Sequence, residues 1–300
     1  MTADRAMPLD GAMPLDSAMT SASRVLVIGI DGVRLDVLRA TSTPHLDAVA
    51  AEGFLAPVRI DDATPTWSGP CWATIVTGVS AAKHGVMHNV FTGHRLADHP
   101  DFLTLASMAG KRTYLSVGSW EPLATAACGG PLFTAPDRVT FTSYGLDCDR
   151  GDEAATVDAE RELVAADYDV AFVYLGDVDE TGHELGVGAE YTAAVERADA
   201  RVGRLVATLR ARSSFADERW TVIVVTDHGH VDEGGHGGDS EVERTAWIAA
   251  NGPGIVAGVE MGTLRHVDVA AHVYEAIGLT EAMAGLALEG KAFASVVPAS

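Results

Sequence analysis

Positive charge is scarce in this 300-residue sequence: 21 Lys and Arg face 42 Asp and Glu, a formal net charge of −21. That balance argues against a nucleic-acid scaffold or an anionic-membrane binder, since both depend on a basic face. Cysteine is scarce too. Cys71, Cys128 and Cys148 lack the spacing of a zinc knuckle or a disulfide framework, and they read as reduced thiols, with a Cys128–Cys148 bridge left open. No apolar stretch approaches the roughly 18 residues that mark a membrane span. The opening MTADRAMPLDGAMPLDSAMTSAS has no apolar run of the kind a secretory signal needs. Residues 1–22 are expected to be a disordered tail, and the chain to be cytoplasmic. No G-x-S-x-G follows a strand-like run, which removes the nucleophile-elbow hydrolases.

What is plentiful is apolar material, 47% of the chain, with 31 glycines, a globular composition. Continuous apolar runs at 24–30, 168–175 and 220–226 have strand length and read as strands buried on both faces. Shorter strands are expected at 58–60, 113–118 and 246–250. Helices are expected from Thr43-Pro44, with Leu46, Val49 and Ala50 on one face, and over 102–109, 154–166, 188–212 and 267–277. The alternation predicts an α/β fold with a mostly parallel central sheet and helices on both faces. One domain over 23–300 accommodates it. The 119–152 stretch shows no periodicity, and 87–152 is the one place with room for a small cap.

Three of the buried runs end alike. The first meets Asp31, the second leads to Asp179 with His183 four residues on, and the third meets Asp227-His228. In an open parallel sheet, ligands bind beyond the carboxyl ends of the strands, so residues nearly 200 positions apart are expected to converge there. Carboxylates and imidazoles suit zinc or a similar divalent ion. His236 sits nearby in a glycine-rich loop, Asp-Glu-Gly-Gly-His-Gly-Gly. Each residue has a plainer reading alone: Asp31 as a cap for the next helix, Asp227 to His230 as a polar turn, His236 as a turn residue. Their common placement favours a metal site.

One further segment, TPTWSGPCWATIVTG at 64–78, opens a helix with a Ser-Gly-Pro turn. Ser68 is either the cap of that helix or a nucleophile whose target rests on the helix N-terminus.

Taken together, IDG at 30–32, DETGH at 179–183, TDHG at 226–229, GGHGG at 234–238 and the segment 265–279 closely resemble the alkaline phosphatase superfamily, nearest its type I phosphodiesterase/nucleotide pyrophosphatase branch. The resemblance implies an alkaline-phosphatase-like fold and two divalent metal ions, zinc foremost, about 4 Å apart. Asp179, His183 and His236 would hold one, and Asp31, Asp227 and His228 the other. The family's nucleophile precedes a proline by two residues and the Thr of a V-T-G by nine, which points to Ser68 over Thr66. The Gly69 N–H and Asn89, in the H-G-x-x-x-N continuation at 84–89, would bind the substrate's phosphate oxygens; a loop cap is the plainer role for Asn89.

The implied activity is hydrolysis of a small-molecule phosphate ester, a diester in the first instance, through a seryl-phosphate intermediate. A phosphomonoesterase is the alternative. It would need an extra cation, and Arg34, Lys83, Arg95, Lys111, Arg112 and Arg138 have no distinctive context. A sulfatase would need arginine where Trp72 stands, and a phosphoglycerate mutase needs a second domain for which there is no room. A non-catalytic metal binder on the same fold finds no support, since all six ligand positions and the serine are present.

Overall fold

The structure, a computed structural model, describes residues 21–259, 261–262 and 264–293. Most of the expected tail therefore lies outside the described residues, although the first strand already begins at Ala22. In chain order the elements are β1 (Ala22–Ile30), α1 (Leu35–Ala40), α2 (Pro44–Ala51), β2 (Gly53–Arg59), α3 (Ser68–Thr77), α4 (Ala81–His84) and α5 (Phe102–Met108). Then follow β3 (Thr113–Val117), β4 (Arg138–Phe141), α6 (Cys148–Ala165), β5 (Val170–Leu175), α7 (Asp177–Leu185) and α8 (Ala189–Arg210). The chain continues with β6 (Glu218–Val225), α9 (Glu241–Arg244), β7 (Thr245–Asn251) and α10 (Val267–Ala276).

The strands form one seven-stranded sheet in the order β2-β7-β6-β1-β5-β3-β4. Only β7 runs against its neighbours, so the sheet is mostly parallel. Strand β1 lies at its centre, paired in parallel with β5 on one side and β6 on the other. This is the topological switch point, beyond whose carboxyl edge ligands bind.

Because side chains alternate across a strand, β1 serves two cores. Val25 and Val27 face the layer of α3, α5 and α10, whereas Leu26, Ile28 and Ile30 face α1, α2, α6, α7 and α8. One strand glycine has a definite reason. A Cβ on Gly29 would lie 2.6 Å from the Trp72 ring, so the absent side chain lets that buried indole lie across the strand.

The 87–152 stretch is only partly available as a cap, because α5, β3 and β4 within it belong to the sheet and its covering layer. All three cysteines are unbridged; Cys128 is exposed and the other two are buried. Among the described residues, no helix is long and apolar enough to cross a membrane.

The amino end of the sheet carries a buried charge cluster. Glu218 receives Arg212 through two hydrogen bonds, at 2.9 and 2.8 Å, and also Trp220 Nε1 at 2.7 Å; Arg24 lies at 3.0 Å. Burial alone would raise the carboxyl pKa, but the Arg212 pair and the Trp220 bond bring it down to about 2. A depressed folded pKa gives stability that is present above the unfolded value near 4.5 and lost as pH falls through the folded one. Glu218→Gln is therefore expected to cost about 3 kcal/mol near neutral pH. The deficit should shrink as unfolding is followed in urea toward acid pH, and a pH-independent deficit would contradict the ion-pair account.

Candidate active site

Two strand ends place the first group. Asp31 directly follows β1, and Asp227 and His228 follow β6 by way of Thr226. Asp31 Oδ2 accepts hydrogen bonds from Trp72 Nε1 at 2.8 Å and Tyr174 OH at 2.6 Å. Asp227 Oδ1 accepts the Gly32 N–H at 3.0 Å. This leaves Asp31 Oδ1 and Asp227 Oδ2 buried with no hydrogen-bond partner, 3.5 and 3.2 Å from His228 Nε2. His228 Nδ1 lies 3.2 Å from the Gly229 carbonyl, which suits a proton on Nδ1 and a lone pair on Nε2. Two unpartnered carboxylate oxygens and an imidazole nitrogen thus converge in a buried place, a donor set that suits a divalent cation.

The second group comes from α7 and the glycine loop. Asp179 and His183 are one helical turn apart and share a face of α7. Nε2 of His183 and Nε2 of His236 are 3.0 Å apart, and each lies 3.5 Å from an Asp179 carboxylate oxygen. Nδ1 of His236 lies 2.7 Å from the Thr66 carbonyl, so Thr66 fixes the tautomer and turns the Nε2 lone pair inward. The His236 ring stacks on His228 with centroids 3.8 Å apart, so the two groups adjoin. By distance, Asp31–Asp227–His228 and Asp179–His183–His236 are each compact enough to hold one ion.

Charge in this space is unbalanced. Burial, and secondarily Asp179, pushes the Asp31 carboxyl up to about 7; burial does the same to Asp179. Asp227 is pushed well above the carboxylate range by burial and by Asp31. Burial lowers His236 to about 3, and lowers His228 strongly, so both imidazoles stay neutral and provide no compensation. A bound dication would reverse the local field and keep the carboxylates ionised.

Ser68 is the first residue of α3, and Trp67, which makes no side-chain capping bond, holds the cap position. Ser68 is therefore not the helix cap. Its Oγ lies 3.4 Å from His228 Nε2, at the edge of the first group. Its own N–H, in a helical turn with no internal acceptor, has no hydrogen-bond partner among the described residues. Thr66 is otherwise engaged. Its hydroxyl donates to the Gly238 carbonyl at 2.8 Å and accepts the Gly237 N–H at 3.0 Å, pinning the glycine loop.

The expectation for Gly69 needs correction. Its N–H donates to Asn89 Oδ1 at 2.7 Å, so as it stands it holds Asn89 and does not face a ligand. That bond spends the amide oxygen and leaves the Asn89 Nδ2 hydrogens as donors. Of the six cations considered, Arg34 is the one that reaches the site's residues, through the His230 carbonyl at 3.4 Å, and it is paired with Asp36 and Asp232. Lys83 is paired with Glu289, Arg138 with Glu162, and Arg95 binds backbone carbonyls.

Two contributors were not legible as functional in the sequence. Tyr174 lies in an apolar strand run and gave no signal. His230, buried at the centre of the cluster with Nε2 2.8 Å from Asp179 Oδ1, was readable only as part of a polar turn.

Residues 25–292 match the family model for type I phosphodiesterase/nucleotide pyrophosphatase. Human ectonucleotide pyrophosphatase/phosphodiesterase family member 7 is 28% identical over 228 residues, which cover 70% of this chain and 48% of that protein. The chain thus spans about half the length of the curated relatives it matches. Murine ectonucleotide pyrophosphatase/phosphodiesterase 5 superposes with a TM-score of 0.67 at 16% identity, over 85% of this chain and 95% of that one. A 2-O GAG sulfatase superposes equally well, with a TM-score of 0.67 at 13% identity, over 92% and 76%. At such identities these structures establish the alkaline-phosphatase-like fold and nothing finer.

Proposed function

Because the chain belongs to the type I phosphodiesterase/nucleotide pyrophosphatase family, we propose that it hydrolyses small-molecule phosphodiesters at a two-metal centre, with Ser68 as nucleophile. The observation that carries the reading is the convergence of Asp31 Oδ1 and Asp227 Oδ2, neither with a hydrogen-bond partner, on His228 Nε2 beside the Ser68 hydroxyl. Asp31, Asp227 and His228 would hold one divalent ion, and Asp179, His183 and His236 the other, zinc being the metal such a donor set suits. The ions supply Lewis acidity, lowering the pKa of the serine hydroxyl and of water and neutralising the phosphate.

In the proposed sequence Ser68 Oγ, as alkoxide, attacks phosphorus. The bond to the leaving oxygen breaks, that oxygen takes a proton from water, and a seryl phosphate ester remains. Water then attacks the same phosphorus, the Ser68–phosphorus bond breaks, the proton released by the water returns to Ser68 Oγ, and the product leaves. The Ser68 N–H and Asn89 Nδ2 bind the non-bridging oxygens, where charge develops at the start of a helix.

The local chemistry favours a diester. A monoester brings one more negative charge, and the cations considered are committed elsewhere or lack a contact with the site. Sulfate transfer lacks its arginine, since the Trp72 indole occupies that place and is bonded to Asp31. Nucleotides fall within the substrate class: an inactive form of murine ectonucleotide pyrophosphatase/phosphodiesterase 5 is known in complex with AMP. Three unbridged cysteines support a reducing compartment such as the cytoplasm.

Three chromogenic esters test the reading. With zinc present, kcat/KM for bis(p-nitrophenyl) phosphate should exceed that for p-nitrophenyl phosphate by about tenfold or more, with p-nitrophenyl sulfate inert. A preference for the monoester would establish the phosphomonoesterase alternative, and inertness toward both phosphates would remove the proposal.

A further inference from the structure

By distance alone, His230 belongs with Asp179 and His228 as a third possible ligand group. Its hydrogen bonds say otherwise. Nδ1 accepts the Gly235 N–H at 3.2 Å, so it must carry a lone pair. A neutral imidazole has one proton, which then sits on Nε2 and is donated to Asp179 Oδ1 at 2.8 Å. A metal on Nε2 would require the proton on Nδ1, where it would meet the Gly235 N–H head on.

The ring is also locked in place. A Cβ on Gly32 would lie 2.7 Å from Nε2, and one on Gly182 would lie 2.8 Å from Cε1, so two glycines make its slot. Arg34 donates to the His230 carbonyl at 3.4 Å, and the Tyr191 ring meets the imidazole edge to face at 5.9 Å. One side chain thereby ties two segments together. Through Nε2 it holds Asp179 on α7, and through Nδ1 it holds the residue just before His236 on the glycine loop.

We propose that His230 is not a metal ligand but the positioning residue of the Asp179–His183–His236 site: it sets the spacing of α7 against the glycine loop and leaves Asp179 Oδ2 to the metal. The inference rests on the reading that Asp179 and His236 hold an ion. Oriented partners of this kind are commonly worth 10–100-fold in metal affinity.

Two measurements, neither involving hydrolysis, test it. Long-range proton–nitrogen NMR on the ¹⁵N-labelled, zinc-loaded chain should show His230 protonated on Nε2 and bare on Nδ1; a metal-shifted Nε2 overturns the proposal. Zinc affinity is then measured by chelator competition. His230→Leu should weaken one of two zinc equivalents by roughly 10–100-fold while the other stays at wild-type affinity, which also reports an intact fold. His230→Gln, which keeps a donor toward Asp179, should recover most of the loss. Wild-type affinity at both sites in the Leu variant, or a Gln variant as weak as Leu, overturns it. A chain that binds zinc as stated but cleaves no diester would contradict the proposed function and leave this inference standing.

Discussion

Ser68→Ala is expected to reduce diester turnover by about 10⁴-fold or more, the range seen when an attacking group is removed from an otherwise complete site, with zinc content unchanged. The second half follows from position. Ser68 Oγ lies outside both compact ligand groups and touches the first only through His228 Nε2 at 3.4 Å. Removing it takes away the proposed nucleophile and leaves the carboxylate and imidazole geometry. The N–H of residue 68 and the Asn89 amide are also retained, so substrate should still bind and KM should move little. Retained turnover would remove covalent catalysis through Ser68. It could not be transferred to Thr66, whose hydroxyl is occupied by Gly237 and Gly238.

Asp227→Asn should act with opposite signs on the free and the metal-loaded protein. Without metal, burial first and then Asp31 and Asp179 push the Asp227 carboxyl well above the carboxylate range, so its ionised form is unfavourable in the folded chain. Asparagine keeps the acceptor for the Gly32 N–H and turns an unpartnered oxygen beside Asp31 into a donor. The metal-stripped variant should therefore melt a few degrees above metal-stripped wild type. With zinc the order reverses. An ion at 1,000 times its Kd adds about 4 kcal/mol, roughly 6 °C for a chain of this length. Wild type should gain at least that, and the variant much less. Thermal unfolding in chelator and in excess zinc measures both, and a variant that gains as much from zinc as wild type would contradict the assignment of Asp227.

Much of this is legible in the sequence alone. A strand buried on both faces must be apolar throughout, so the runs ending at Ile30, Leu175 and Val225 declare themselves, and the parallel sheet brings Asp31, Asp179 and Asp227 to one edge. The family motifs added the division into two sets of three. Strand β4 was missed because Arg-Val-Thr-Phe is short, half-exposed and on the sheet edge, where no face demands an apolar pattern. Helices α4 and α9 are single turns whose apolar period is too short to register.

The site's finer errors share one cause: sequence names a donor but not where its hydrogen bond goes. Gly69 was correctly placed at the helix start, yet its N–H is spent on Asn89. Trp72, which in the sequence marks only the absence of an arginine, is a donor to Asp31, in room made by Gly29. His230 looked like a turn residue because its meaning depends on which ring nitrogen faces Asp179.

The central claim is that the carboxylates and imidazoles at the strand ends form a two-metal centre for phosphodiester hydrolysis. Titrating zinc into the metal-stripped chain, while following hydrolysis of bis(p-nitrophenyl) phosphate, tests it most directly. The account predicts no activity without metal and a rise that saturates at two equivalents per chain. Full activity with one equivalent, or undiminished activity in chelator, would contradict it.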